Sequence, residues 1–124
     1  DTLWTSFATE LSGVTFAAPD PVGATTVPGG ASITGVEAFW ITGSGFADQF
    51  TGGRWTDYLY GLEGNDTLRG GLGFDVLVGG GGNDSLEGGN GFDNAQGGDG
   101  NDTLRGGNAY DYLSGDAGDD ALFG

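Results

Sequence analysis

A nine-residue period governs most of this chain. Seven units follow one another without insertion over residues 61–123, reading GLEGNDTLR, GGLGFDVLV, GGGGNDSLE, GGNGFDNAQ, GGDGNDTLR, GGNAYDYLS and GDAGDDALF. Two looser copies precede them at residues 43–51 (GSGFADQFT) and 52–60 (GGRWTDYLY), and the nine units are numbered 1 to 9 from residue 43. All nine have Gly at position one and Asp at position six, and seven have Leu at position eight. Such a period predicts a repeat architecture, because no single unit can bury its apolar residue alone.

Each unit combines a turn with a very short strand. Gly stands at position two in six units and at position four in six units, and Gly permits the positive φ angles of tight turns. From position six onward, Asp-x-Leu-x has the alternation of a strand with one inward apolar side chain. A turn and a strand every nine residues are expected to wind into an all-β solenoid.

A second period, of eighteen residues, sets the size of one coil. Alternate units carry at position five either an Asx residue (Asn65, Asn83, Asn101, Asp119) or an aromatic residue (Phe74, Phe92, Tyr110). Position nine reads Arg69, Glu87 and Arg105 at steps of eighteen. We therefore expect two units per coil, with parallel strands of adjacent coils about 4.8 Å apart.

Stacking of the coils places the position-six carboxylates in two rows. One edge is predicted to carry Asp66, Asp84, Asp102 and Asp120, and the other Asp57, Asp75, Asp93 and Asp111. Carboxylates about 5 Å apart repel one another by roughly 1 kcal/mol per neighbour in water. The chain offers three basic residues against eighteen acidic ones, so a divalent cation is the expected counter-charge. The alternative, a solvated acidic edge without metal, explains neither the Gly spacing nor Asp in every unit.

The chemistry of the ligands selects the metal. The chain has no His and no Cys, which excludes the usual zinc, copper and iron–sulfur sites. Carboxylate and backbone carbonyl oxygens bind hard cations, and six or more of them suit Ca²⁺ better than Mg²⁺. The sequence therefore predicts calcium.

Composition argues against several function classes. A formal net charge of −15 disfavours binding to nucleic acid or to an anionic membrane surface, since both require a basic face. No apolar run reaches the roughly 18 to 20 residues of a transmembrane helix. No pair of nucleophile and base is visible, so catalysis is not predicted. The chain starts and stops inside its pattern, and we expect a fragment of a larger protein with flanking domains.

Residues 1–42 differ from the repeats, and we divide the chain into a strand-rich lead-in or capping segment (1–42) and a repeat domain (43–124). The lead-in holds β-branched and aromatic runs broken by Pro and Gly, which is typical of strands and turns. Its aromatic residues are expected to form its core, the alternative being a ligand platform: Trp4, Phe7, Phe16, Phe39 and Trp40. Asp1-Thr2-Leu3 also fits positions six to eight of the unit.

Units such as GGLGFDVLV and GGGGNDSLE resemble the G-G-x-G-x-D-x-U-x nonapeptide of RTX, or haemolysin-type, calcium-binding proteins. The stretch ITGVEAFWITGSGFADQFTGG, which includes Glu37, resembles the lead-in before such blocks. The resemblance implies a right-handed parallel β-roll with calcium between stacked turns. It also implies type I secretion from a Gram-negative bacterium and folding on Ca²⁺ after export, in a secreted or cell-surface protein.

The resemblance implies the ligands as well. In related proteins the position-two and position-four carbonyls and the Asp of one turn face the position-one and position-three carbonyls and the Asp two units later. Carried over, the five pairings are Leu62, Gly64, Asp66 with Gly79, Gly81, Asp84; Gly71, Gly73, Asp75 with Gly88, Asn90, Asp93; Gly80, Gly82, Asp84 with Gly97, Asp99, Asp102; Gly89, Gly91, Asp93 with Gly106, Asn108, Asp111; and Gly98, Gly100, Asp102 with Gly115, Ala117, Asp120.

The departures from the family pattern lie at the ends of the repeat block. Phe46 and Trp55 replace Gly at position four, so Asp48 and Asp57 are expected to belong to weaker sites. Ala109 and Asp116 are expected to loosen two later turns. The expected total is about five to seven calcium ions.

The sequence is compatible with three functions. The first is a calcium-dependent structural module that folds after export. The second is an interaction module of an adhesin, surface layer or filament, in which the aromatic row Phe74, Phe92 and Tyr110 binds a glycan or a neighbouring surface protein. The third is a non-catalytic part of a secreted protease, lipase or alginate epimerase, since the family includes such enzymes.

Overall fold

The part of the chain that the structure describes forms two parallel β-sheets of six strands each and one two-stranded antiparallel sheet. The computed structural model describes the backbone of residues 2–6, 15–17, 24–26, 32–34 and 38–124, and the side chains of residues 40–124. Every element in these residues is a strand: β1 (Thr2–Ser6), β2 (Thr15–Ala17), β3 (Ala24–Thr26), β4 (Ser32–Thr34), β5 (Ala38–Thr42), β6 (Gln49–Thr51), β7 (Tyr58–Glu63), β8 (Thr67–Leu72), β9 (Val76–Gly81), β10 (Ser85–Asn90), β11 (Asn94–Asp99), β12 (Thr103–Asn108), β13 (Tyr112–Ala117) and β14 (Ala121–Phe123).

Successive strands of the repeats alternate between the two sheets. Sheet A has the order β1-β5-β7-β9-β11-β13, and sheet B the order β14-β12-β10-β8-β6-β2. Each strand from β7 to β13 runs from position seven of one unit to position three of the next, and the turn fills positions four to six. Neighbouring strands pair residues eighteen apart, as in Leu59↔Leu77 and Leu68↔Leu86. The predicted β-solenoid with two units per coil is confirmed.

The core consists of the position-eight side chains. Sheet A contributes Ile41, Leu59, Leu77 and Ala95, and sheet B contributes Phe50, Leu68, Leu86 and Leu104, all fully buried. Leu113 packs against this cluster from β13. Each coil therefore buries one side chain per strand. The row of position-eight side chains is shielded from water only because neighbouring coils stack on it.

The ladder between coils is interrupted at one place in each repeat. Pairing runs through positions seven to nine, omits position one, and resumes at positions two and three, as between β10 and β12. Position-one residues such as Gly88 and Gly106 are thereby left out of the regular pairing. Their carbonyl groups become available to the turn region described below.

The lead-in continues both sheets. Strand β1 pairs with β5 and strand β2 with β6, while β3 and β4 form an antiparallel hairpin. Thr5, rather than Leu3, lies opposite Ile41, so the assignment of Asp1-Thr2-Leu3 to positions six to eight was wrong. The predicted core aromatics Trp4, Phe7, Phe16 and Phe39, and also Glu37, have side chains outside the described residues. Trp40 is half-buried and stacks on Tyr58, with ring centroids 5.0 Å apart.

The outer face of sheet B carries the predicted alternation of charge. Glu87 lies in register between Arg69 and Arg105, and Arg69 Nε is 3.2 Å from Glu87 Oε2. Both side chains of that pair are about half exposed, so we expect it to contribute less than about 1 kcal/mol. Arg105 lies over the ring of Phe123 instead. Among the described residues, no helix has the length and apolar character needed to cross a membrane.

Candidate metal centre

The turns at the edges of the solenoid have two residues with positive φ. In units 3 to 9 the residues at positions two and four both adopt such angles, for example Gly80 (116°) and Gly82 (122°). Three residues other than Gly do the same at these positions: Leu62 (84°), Ala109 (90°) and Asp116 (69°). Ala109 and Asp116 therefore share the positive φ of the residues at the same positions in the other turns.

Each position-six Asp points into its turn. Asp66, Asp75, Asp84, Asp93 and Asp102 are at most 3% exposed. One oxygen of each carboxylate is bound, because Oδ1 accepts the backbone N–H of the Asp eighteen residues earlier; Asp84 Oδ1, for instance, lies 2.7 Å from Asp66 N. The same bond repeats along both edges. The two predicted rows of carboxylates are present in the structure.

The second carboxylate oxygen is the unusual atom of the site. Within the described residues, Oδ2 is buried and without a hydrogen-bond partner in five aspartates: Asp66, Asp75, Asp84, Asp93 and Asp102. A buried carboxylate oxygen without a partner is costly, and native structures contain few of them. Five such atoms in consecutive units indicate that these turns are suited to a positively charged ligand.

A backbone carbonyl converges on each of these oxygens. A Cβ built on Gly61 would lie closer than 3.0 Å both to Asp66 Oδ2 and to the carbonyl oxygen of Gly79 in the next coil. The position-one glycines 70, 79, 88 and 97 have the same surroundings in their own turns. An oxygen from each of two neighbouring coils thus lies beside the position-one Gly, where a Cβ would collide with both.

The remaining predicted ligands lie between the same coils. The position-two and position-four carbonyls of one coil face the next, so that a Cβ on Gly80 or Gly82 would meet the oxygen of Leu62 or Gly64. The position-three carbonyls already accept one hydrogen bond, as Gly81 O does from Gly64 N at 2.8 Å. The corresponding acceptors in later coils are Asn90, Asp99, Asn108 and Ala117. A carbonyl oxygen has a second lone pair, so these atoms retain one position for a ligand.

The last two aspartates of the rows are more accessible. Asp111 and Asp120 are half-buried, and their Oδ1 atoms accept the N–H groups of Asp93 and Asp102 at 2.9 Å. They therefore occupy the same place in the turn as the other members of their rows.

The first two turns are built differently. In unit 1 the backbone N–H and the hydroxyl of Ser44 both donate to Asp48 Oδ2, at 2.6 and 3.1 Å. In unit 2 the N–H of Gly53 donates to Asp57 Oδ2 at 2.7 Å. Sequence reasoning treated Asp48 and Asp57 as weaker metal ligands and did not find these donors. The available signal was the aromatic residue at position four of both units.

Burial perturbs the acidity of the inward carboxyl groups. Burial is the largest cause that raises the pKa of Asp66 and of Asp75 to about 7; one backbone N–H lowers the pKa of each, and the neighbouring carboxylates of each row raise it. Burial likewise raises the pKa of Asp84, Asp93 and Asp102. These carboxyl groups are therefore poorly stabilised as anions by the protein alone.

The donor set fits a hard cation. No three side chains of His, Cys, Asp or Glu in the described part of the chain converge on one point, so any metal here depends on backbone carbonyls in addition to the paired aspartates. Oxygen-only sites with two carboxylates and several carbonyls suit Ca²⁺. Zinc and other metals that prefer nitrogen or sulfur lack their ligands here.

Comparison with protein families gives the same result. The model of the RTX calcium-binding nonapeptide repeat matches residues 40–68, 60–95 and 96–124, well over half of the chain. The chain belongs to this RTX repeat family. No curated protein and no solved structure matches it. As an RTX repeat β-roll the described region is a calcium-binding structural module, and modules of this type are non-catalytic and typical of secreted proteins of Gram-negative bacteria.

Proposed function

We propose that this RTX module is a calcium-dependent folding and stabilising unit of a protein exported by a Gram-negative bacterium, at work outside the cell or on its surface. The observation that carries the proposal is the set of five buried Asp Oδ2 atoms without a hydrogen-bond partner. Each of them faces a backbone carbonyl of the next coil, and a cation bound there would satisfy both oxygens.

The five ligand sets are those of the five pairings of units 3 to 9. In the first set, Leu62, Gly64 and Asp66 act together with Gly79, Gly81 and Asp84. The other four sets follow at steps of nine residues, alternating between the two edges. Each of the five orphaned oxygens belongs to the first Asp of one pairing, which supports five ions as the number for this chain.

Calcium is expected to be coupled to folding. A ligand that binds only the folded state stabilises it by mass action, and several sites in one solenoid make the dependence on calcium steep. Without the metal, a net charge of −15 and 29 Gly residues favour the open chain. Extracellular calcium modules bind with dissociation constants of about 0.1 to 1 mM, so folding would follow export to a calcium-rich medium.

Circular dichroism during a calcium titration tests this function. In chelator the spectrum should be that of a disordered chain, and millimolar Ca²⁺ should produce a β spectrum with a steep midpoint. Mg²⁺ at the same concentration is the matched control and should leave the spectrum unchanged, because it rarely accepts an all-protein cage. A β spectrum that persists in chelator at a pH above about 7, where Asp66 and Asp75 are ionised, would contradict the proposal.

A second candidate function rests on the aromatic row of one edge. Phe92 and Tyr110 are 58% and 84% exposed and stack with ring centroids 6.2 Å apart, and Phe74 is also exposed. Stacked aromatic rings on a solenoid edge offer a platform for a glycan or for a neighbouring surface protein. In this function the module is part of an adhesin, surface layer or filament.

Substitution of the aromatic row distinguishes the two functions. Replacement of Phe74, Phe92 and Tyr110 by Ala should leave calcium-induced folding intact, since these side chains lie outside the core. Loss of binding on a glycan array in this variant would support the interaction function. Unchanged glycan binding by the variant, or no glycan binding by the unaltered chain, would contradict the interaction function of the aromatic row. The calcium-dependent folding function would then be the one that remains. A parent protease, lipase or epimerase remains the third proposal for the flanking domains.

A further inference from the structure

We propose that the first coil of the repeat block, units 1 and 2 (residues 43–60), binds no calcium, because a backbone N–H takes the place of the metal in each of its turns. The residue at position four selects between the two kinds of turn. We call a turn closed when an N–H donates to Asp Oδ2 and open when this oxygen has no donor. The inference rests on the proposed function, since it concerns which turns take up the ion.

The two kinds of turn present the same oxygens. A Cβ built on Gly52 would lie closer than 3.0 Å to Asp57 Oδ2 and to the carbonyl oxygen of Gly70, as is the case for Gly61 with its own Asp and carbonyl. The carbonyl that would face an ion is therefore present in the closed turn as well. One observed difference at this point is the N–H of Gly53, 2.7 Å from Asp57 Oδ2.

A donor at this position competes directly with a cation. The N–H already makes a hydrogen bond to the carboxylate oxygen that a calcium ion would bind. It also places a partial positive charge beside that oxygen, which repels a cation. Unit 1 repeats the arrangement, with both the N–H and the hydroxyl of Ser44 on Asp48 Oδ2. By contrast, the five open turns have a buried Oδ2 that nothing donates to.

Backbone conformation explains why the turns differ. Positive φ occurs at positions two and four in every unit from 3 to 9, and at neither position in units 1 and 2. Position four of these two units is Phe46 and Trp55, and a bulky aromatic residue strongly disfavours positive φ. With position four held at negative φ, the turn takes another course and the position-two N–H faces the carboxylate.

Space along the solenoid supports the same conclusion. In open turns a Cβ at position four would meet the backbone of the preceding coil, as on Gly73, where the contact is 2.8 Å from the Trp55 carbonyl carbon. The space at position four is therefore small, which favours a small residue there and disfavours a bulky one. Ala109, at 90°, shows that a methyl group is still accommodated at position four of unit 8.

The number of calcium ions bound by the full chain tests the inference. Native mass spectrometry in saturating Ca²⁺ counts them, and calorimetry checks the count in solution. Trp55→Gly should add one ion, because the exposed Trp side chain is not needed for the core and Gly restores the open turn. Asp75→Asn should remove one ion, whereas Asp57→Asn, at the equivalent position of the preceding coil on the same edge, should remove none.

The outcomes separate this inference from the proposed function. If the unaltered chain binds no calcium, both fail. If it binds calcium but loses one ion in Asp57→Asn, or binds seven ions, the first coil is a metal site and the inference is overturned. An unchanged count in Trp55→Gly would also overturn the role of position four. The Trp55 variant remains informative even if a buried Asp variant fails to fold.

Discussion

At the scale of single residues, Gly82 at position four of unit 5 is a structural requirement of its turn. Gly82 has a φ of 122°, and a Cβ there would collide with the carbonyl oxygen of Gly64 in the preceding coil. Two penalties would thus act together on any other side chain, a backbone strain and a steric clash with an atom that cannot rotate away.

Gly82→Ala should therefore destabilise the calcium-bound protein by about 1 to 3 kcal/mol. The matched control is Gly45→Ala, since a Cβ on Gly45 would have nothing within 4 Å and this residue has no positive φ. Urea unfolding in saturating Ca²⁺ gives both values. Equal stability of the two variants would show that the turn at Gly82 relaxes more easily than its contacts indicate.

At the scale of the strand, the contribution of a position-eight side chain to stability depends on where its strand lies in the stack of coils, and not only on the residue type. Leu77 of β9 and Leu122 of β14 both occupy position eight, yet Leu77 is fully buried and Leu122 is 45% exposed. The first has coils on both sides, and the second lies at the end of sheet B. The same side chain thus buries different amounts of apolar surface according to its neighbours.

Leu77→Ala should cost about 2 to 5 kcal/mol, the range for a buried Leu that leaves a cavity. Leu122→Ala should cost under about 1 kcal/mol, because an exposed side chain loses little burial. Thermal or urea unfolding with calcium present measures both. A similar cost for the two variants would indicate that β14 is covered in solution. Ala95, which is fully buried in the same row as Leu77, shows that the row accepts one small residue.

At the scale of the whole molecule, the buried carboxyl rows link the fold to pH. The pKa values of Asp66 and Asp75 are raised from 3.8 to about 7 in the folded chain. A raised carboxyl pKa means that the folded state prefers the protonated form. Its contribution to stability is thus present below the unfolded pKa and is lost as pH rises through about 7.

In chelator, the β-roll should accordingly gain stability as the pH falls from about 8 to about 4, since protonation removes the cost of burying these charges and also the repulsion between neighbouring carboxylates. In saturating calcium the trend should reverse, because protons compete with Ca²⁺ for the same oxygens. Circular dichroism at several pH values, with and without calcium, measures both trends. A chelator curve that is flat between pH 4 and pH 8 would contradict the raised pKa values.

The sequence alone determined the repeat, the coil of eighteen residues, the buried position-eight row and the two carboxylate rows. All of these follow from local periodicity, because a strict period forces equivalent residues such as Asp66 and Asp84 to stack. Even the order of charges at Arg69, Glu87 and Arg105 followed from the same rule. The family match extended over the same residues.

Only the tertiary structure decided which Oδ2 atoms of these carboxylates lack a hydrogen-bond partner. Asp57 and Asp75 are the same residue at the same position of the unit, yet Oδ2 of Asp57 accepts an N–H and Oδ2 of Asp75 does not. That difference depends on the φ angles of a turn and on its contacts with the coils above and below it. A repeat pattern in the sequence does not specify these angles or contacts. Side-chain packing likewise determined that Arg105 lies over the ring of Phe123 and that Trp40 stacks on Tyr58. Periodicity specifies which residues are equivalent, and three-dimensional contacts then make some of them different.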